Sequence, residues 1–235
     1  VANDTLQAKA IGSYAIAQFP INRYAVIDDG TPYGKDLAAG AAHELEAGNK
    51  NVVISQSFDD KTTQFDDLAQ RIKQSNVEGI ISTLNDFQLI SLLQSLKRLD
   101  YTEVRVLGGD TIKTPLMLQG APFVRWLYAT SPIAQTREFT SGGAFLAKYK
   151  DKFRIEPTYA GHYTYDATYV LAAAISRCNC SQSKKIAEEL RKIDGYAPVT
   201  GSMKWDAKGE QRYGAIGVYR ATPELWEPQM RSDTW

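Results

Sequence analysis

Carboxylates, hydroxyls, an amide and a tyrosine collect directly behind three short apolar runs of this chain. Asp28, Asp29 and Tyr33 follow Tyr24-Ala25-Val26-Ile27; Ser82 to Asp86, with Asn85 among them, follow Gly79-Ile80-Ile81; Asp110 and Thr111 follow Val104-Arg105-Val106-Leu107. Such a set suits recognition of a small zwitterion. A carboxylate neutralises an ammonium group, hydroxyls and backbone N–H groups near a helix start hold a carboxylate, and a tyrosine face covers an aliphatic side chain. Covalent catalysis is poorly served, because the two histidines, His43 and His162, fall outside these loops and leave no general base beside a nucleophile. The expectation is a binding protein and not an enzyme, with no catalytic residue.

Other chemistries fail on spacing or composition. Gly30-Thr31-Pro32-Tyr33-Gly34-Lys35 has one residue too few between its glycines for a phosphate loop, and Asp36 stands where a Ser or Thr would hold magnesium. Asp28-Asp29 would suit a phosphoacceptor pocket, but no aspartate directly follows the third run and Ala129-Thr130-Ser131 follows the fifth without a lysine. Turning the chain and capping helices is the better account of these aspartates. Cys178 and Cys180 are too few for a zinc site, and their spacing permits a small ring in an oxidising compartment. No metal or cofactor is expected. With 27 basic and 27 acidic side chains the phosphate-neutralising excess of a nucleic-acid binder is missing. No apolar run approaches the roughly 20 residues of a membrane helix. Val1-Ala2-Asn3-Asp4 leads directly into a helix-like segment, with no leader pattern ahead of it.

The elements that must position these loops are legible as an alternation. Leu6, Ala10, Ile11, Tyr14 and Ala17 share a helical face that Pro20 closes, ahead of the first apolar run. Leu37, Ala41 and Leu45 form the next helix and Val52-Val53-Ile54 the next strand; Phe65, Leu68, Ala69 and Ile72 precede the third strand; Leu89, Leu92, Leu93 and Leu96 precede the fourth; Trp126 to Ala129 is a fifth. Strands alternating with helices at roughly 20 to 30 residue intervals predict an α/β fold, an open parallel doubly wound sheet. In the common strand order 2-1-3-4-5, the loops after the first, third and fourth strands border one crevice.

Beyond Pro132 the rhythm turns helical: Ser141 to Lys150, Tyr163 to Ile175 and Ser183 to Ile193. The apolar face Ala167, Val170, Leu171, Ala174 and Ile175 has no sheet of its own to pack on in this reading. From Pro198, Val199 to Trp205 and Ala215 to Arg220 read as two strands of a hairpin joined at Asp206 to Glu210. The predicted division is therefore residues 1–132, 133–197 and 198–235. Dividing 235 residues by about 150 per domain leaves about one and a half domains.

Several stretches, in order, carry a resemblance. Tyr24 to Leu37, Thr63-Gln64-Phe65-Asp66 and Gly79-Ile80-Ile81-Ser82 look like the second lobe of type I periplasmic binding proteins, in particular the branched-chain amino-acid binding components of ABC transporters. Tyr163-Thr164-Tyr165-Asp166-Ala167 is similar to that family's Tyr-Asp-Ala helix start, and Gly201 to Gly209 to its late hairpin.

The resemblance implies that residues 1–132 are the second ligand-binding lobe, that the helices of 133–197 pack on a first lobe whose initial strand and helix series is absent, and that the hairpin of 198–235 returns to the second lobe. It implies ligand binding by Tyr33 over the ligand and Asp110 at its ammonium group, with Asn85 and Thr111 in the neighbouring loops. The family usually carries glutamate at the ammonium position and some members a second tyrosine near Asn85. The implied function is the substrate-binding component of an ABC importer for an amino acid, branched-chain or a related aliphatic, working by hinge closure in the periplasm and recognised by a membrane permease. A ligand-sensing regulatory protein on the same fold is the alternative. The uncovered helix face implies self-association or loosely held helices.

Overall fold

The alternation of branched apolar runs with amphipathic segments produces the predicted layers. The computed structural model describes residues 1–235, the side chain of Tyr196 excepted. In chain order the first elements are α1 (Asp4–Gln18), β1 (Arg23–Asp28), α2 (Pro32–Ala47), β2 (Asn51–Ser57), α3 (Asp66–Gln74) and β3 (Gly79–Thr83). They continue with α4 (Asp86–Arg98), β4 (Arg105–Gly108), α5 (Pro115–Gly120) and β5 (Leu127–Ser131). After α6 (Gly142–Phe153), α7 (Gly161–Cys178) and α8 (Ser183–Arg191) come β6 (Asp194–Ala197), β7 (Gly201–Lys204), β8 (Ile216–Ala221) and β9 (Trp226–Ser232).

Two compact units emerge: residues 4–132 with 215–235, and residues 1–3 with 133–214. The first is built on a seven-stranded sheet of order β2-β1-β3-β4-β5-β8-β9. Its first five strands are parallel, while β8 runs antiparallel to both β5 and β9. Because strand side chains alternate, each central strand feeds two cores. Ala25, Ile27, Ile80, Val106 and Leu127 join Leu68, Ile72, Leu89, Leu92 and Leu96 of α3 and α4 on one face. Tyr24, Val26, Ile81, Leu107 and Tyr128 join Ile11, Tyr14, Leu37, Ala41 and Leu45 of α1 and α2 on the other. Burying one such side chain contributes roughly 1.5–3 kcal/mol, so Ile80 and Ile81, adjacent and both fully buried, tie β3 to both layers.

Local signals set the helix ends. Thr31 accepts from the Gly34 N–H and Pro32 occupies the first position of α2, while Thr114 accepts from the Met117 N–H ahead of α5. Beyond α2, α3 and α4 the chain turns at Asn49, Asn76 and Asp100, all at positive φ, which short polar side chains tolerate.

Several expectations need correction. In α1 the buried face is Gln7, Ala8, Ala10, Ile11, Gly12, Tyr14 and Ala15: the expected Ala10, Ile11 and Tyr14 lie on it, Leu6 is half-buried, Ala17 is exposed, and polar Gln7 takes a buried place. The two late strands do not form a hairpin with each other: β7 pairs with β6, and β8 pairs with β5 and β9. The expected 198–235 segment accordingly divides at 214/215. The 133–197 stretch is not helical throughout, since β6 lies within it. In that unit Val170 and Ala174 of α7 pack with Ile193, Ala197 and Met203, so the two-stranded sheet supplies the cover that the helix face was expected to lack. Ala167, Leu171 and Ile175 remain exposed, and the contiguous five-residue patch is not formed. Cys178 and Cys180 are joined in a disulfide at the end of α7.

Candidate functional site

The seven-stranded unit brings the loops after β1, β3 and β4 to the carboxyl edge of its sheet, where β1 lies between β2 and β3. The β1 loop is shaped by its own aspartates. Asp28 Oδ1 accepts from the Gly30 N–H, and buried Asp29 accepts from the backbone and hydroxyl of Thr31. Gly30 sits at a φ of +76°, a conformation that favours glycine. The turn reading of this pair therefore holds, while the cap of α2 is Thr31 and neither aspartate, and the turn delivers Tyr33 onto the first turn of α2.

From there the Tyr33 hydroxyl donates to Asp110 Oδ1 at 2.6 Å. Asp110 opens a short helical turn, Asp110–Ile112, two residues past the end of β4. Glycine precedes it for a reason: a Cβ on Gly109 would lie 2.8 Å from the Tyr33 hydroxyl and 3.0 Å from Leu37 Cδ2. Burial, reinforced by the Asp110 charge, pushes the Tyr33 phenol far above its ordinary value, so it remains a neutral donor.

A second donor comes from α1. Gln7, only 1% exposed, donates from Nε2 to Asp110 Oδ1 at 3.0 Å and to Thr130 Oγ1 at 3.1 Å. Thr130 in turn donates to the Gly108 carbonyl at 3.0 Å. The carboxylate is thereby fixed by three elements, α1, α2 and the end of β4. Burial, then the charges of Asp110 and Asp36, raise the Asp4 carboxyl above the usual carboxylate value. The two lesser causes mark negative charge at this edge, which favours a cation.

The four sequence candidates thus separate. Tyr33 and Asp110 are in direct contact. Thr111 turns its hydroxyl to the Leu84 carbonyl at 2.9 Å, linking the β4 loop to the β3 loop. Asn85 is the N-cap of α4, and its amide nitrogen reaches Gln88 Oε1 at 3.4 Å while Gln88 holds the Asp59 and Thr62 carbonyls. Gln7 and Thr130 were not among the candidates. The visible signal for Gln7 was a polar residue interrupting the buried stripe of α1. His43 is exposed on α2, and among the described residues no group of three or more His, Cys, Asp or Glu is placed to hold a metal ion.

Comparison with known proteins follows the same geometry. The family described as periplasmic binding protein matches residues 1–224. A leucine-specific-binding protein from Salmonella typhimurium is 22% identical over 218 residues, covering 92% of this chain and 58% of its own. The chain therefore spans well under two thirds of that relative's length. Among solved structures, a leucine-binding protein from Thermotoga maritima superposes with a TM-score of 0.86 at 21% identity, over 98% of this chain and 66% of its own. A solute-binding protein of an ABC transporter from Rhodopseudomonas palustris HaA2, in complex with p-hydroxybenzoic acid, gives 0.81 at 16% identity, over 98% and 65%. At these identities the likeness establishes the fold.

Proposed function

The chain belongs to the periplasmic binding protein family, and on that premise we propose that it forms part of the substrate-binding component of an ABC importer for an amino acid, branched-chain or a related aliphatic. In this reading residues 4–132 with 215–235 are one of two jaws that close on the ligand, outside the cytoplasm, and the closed form is what a permease recognises. No step of the proposal is catalytic.

The observation that carries the reading is the Asp110 carboxylate, held by Tyr33 and Gln7 at the carboxyl edge of the sheet. Tyr33 and Gln7 fix the orientation of this carboxylate, so an ammonium group meets a preorganised acceptor. The same charge argues against an aromatic acid lacking an ammonium group as the ligand here, although the Rhodopseudomonas relative holds one. Thr111 and Asn85 act in this scheme by joining the β3 and β4 loops beside the carboxylate.

The test is a thermal-shift titration of leucine, isoleucine, valine and p-hydroxybenzoic acid against the protein at the length of its relatives. Stabilisation by the amino acids that disappears in Asp110→Ala supports the assignment. Undiminished stabilisation in that variant removes it.

A further inference from the structure

At the opposite end of the β4 and β5 strands, three arginines surround one tryptophan. The guanidinium carbons of Arg125, Arg220 and Arg105 lie 4.8, 5.1 and 5.4 Å from the ring centre of Trp126. Sheet geometry explains the gathering: Arg105 begins β4, Trp126 precedes β5, and Arg220 opposes Tyr128 across the antiparallel β5–β8 pair. Stacking on one ring holds the three charges together despite their mutual repulsion.

None of these guanidiniums is in a close ion pair, and Arg105 feels the Glu78 carboxylate only at longer range. Among the described residues none of the three forms an ion pair within 4.0 Å, and the Nε–H of Arg220 is buried with no hydrogen-bond acceptor. A buried charged donor left unmatched is costly, and guanidinium geometry is made for carboxylate. Arg125 and Arg220 also line a groove of about 290 Å³ whose remaining wall includes Leu118, Val124, Leu127 and Pro223. Apolar walls with two unmatched guanidiniums describe a site for an anion that carries a hydrophobic body.

We infer that this groove is a second ligand site, separate from the Asp110 edge, which takes a small carboxylate with an aromatic or aliphatic body. The acid's oxygens meet Arg125 and Arg220, its body lies along Leu118 and Leu127, and Arg105, outside the groove lining, adds charge from its place at the Trp126 ring. Binding places a carboxylate beside these cations and relieves the repulsion among them.

Calorimetric titration of the 235-residue chain with benzoate, its neutral isostere benzamide and inorganic phosphate tests this. Benzoate is expected to bind, with benzamide and phosphate each at least roughly tenfold weaker. Arg220→Gln and the exposed Arg125→Gln should each weaken benzoate by roughly tenfold, the second variant standing where the first fails to fold. Absence of benzoate binding, equal binding of benzamide, equal binding of phosphate, or unchanged affinity in both variants each overturns the inference.

Discussion

The carboxylate of Asp166, fully buried in α7, accepts both the N–H and the hydroxyl of Thr200, each at 2.7 Å. The neighbouring Val199 N–H donates to its other oxygen at 2.9 Å. One side chain thus supplies the acceptors for the turn that enters β7, and the aspartate of the Tyr-Asp-Ala helix start has a structural role inside its own unit. Asp166→Ala leaves buried donors without partners and should destabilise the 133–214 unit by on the order of 3 kcal/mol. Amide exchange of β6 and β7 reads this directly; unchanged protection there refutes it.

The same unit should carry a pH dependence. His162, 3% exposed, donates from Nε2 to the Ala134 carbonyl, which can only accept, and its Nδ1 shares a hydrogen bond with the Thr136 hydroxyl at 3.1 Å. Burial holds its pKa below the ordinary 6.5. Between the folded and unfolded values the unfolded chain binds more protons, so this contribution is complete above about pH 6.5 and is lost as pH falls toward the folded value. Urea midpoints should fall with acidification below pH 6.5, and His162→Gln should flatten that slope.

Tyr33 and Asp110 should be energetically coupled. A cycle of Tyr33→Phe, Asp110→Ala and the double variant is expected to give about 1–2 kcal/mol, the range for a hydrogen bond to a charged group that keeps some solvent contact. The quantity comes from amide exchange of α2 and β1. Additive single effects would mean the 2.6 Å contact is incidental.

Close packing of α1 on α2 makes a further prediction. A Cβ on Gly12 would fall 2.3 Å from Glu44 Cβ, a position the α2 backbone fixes. Gly12→Ala should therefore cost about 1–3 kcal/mol despite the better helix propensity of alanine. Adding Glu44→Gly removes the obstacle, so the pair should be less destabilised than the two single effects combined, as a denaturant series of all three variants would show.

How much of this was legible in the residues depended on what each segment buries. The runs Tyr24 to Ile27 and Gly79 to Ile81 are buried on both faces, so they must be continuously apolar and announce themselves, and Val104 to Leu107 does so with Arg105 as its one partly exposed break. β6, Asp-Gly-Tyr-Ala, has no branched run, and β9 is an edge strand exposed over most of its length that contains Pro228, so neither carries the usual strand signal. Half of the site followed from the rule that loops after parallel strands meet, which brought Tyr33 to Asp110. Gln7 precedes every strand in the chain, and only the packing of α1 brings it to the β4 loop. Thr130 lies within β5 and meets Gln7 only because the strand order places β5 beside β4.

The insertion of residues 133–214 between β5 and its neighbour β8 bears on how the molecule is made. During synthesis β5 leaves the ribosome with one side unpaired and keeps it so until more than eighty further residues have been added. A nascent chain halted at residue 214 has the parallel sheet but an open border at Leu127–Ser131, the kind of edge that recruits another chain. Such stalled chains should be more sensitive to protease and more prone to associate than chains extended past Ser232, so translation order makes β8 and β9 the closing seal of the sheet.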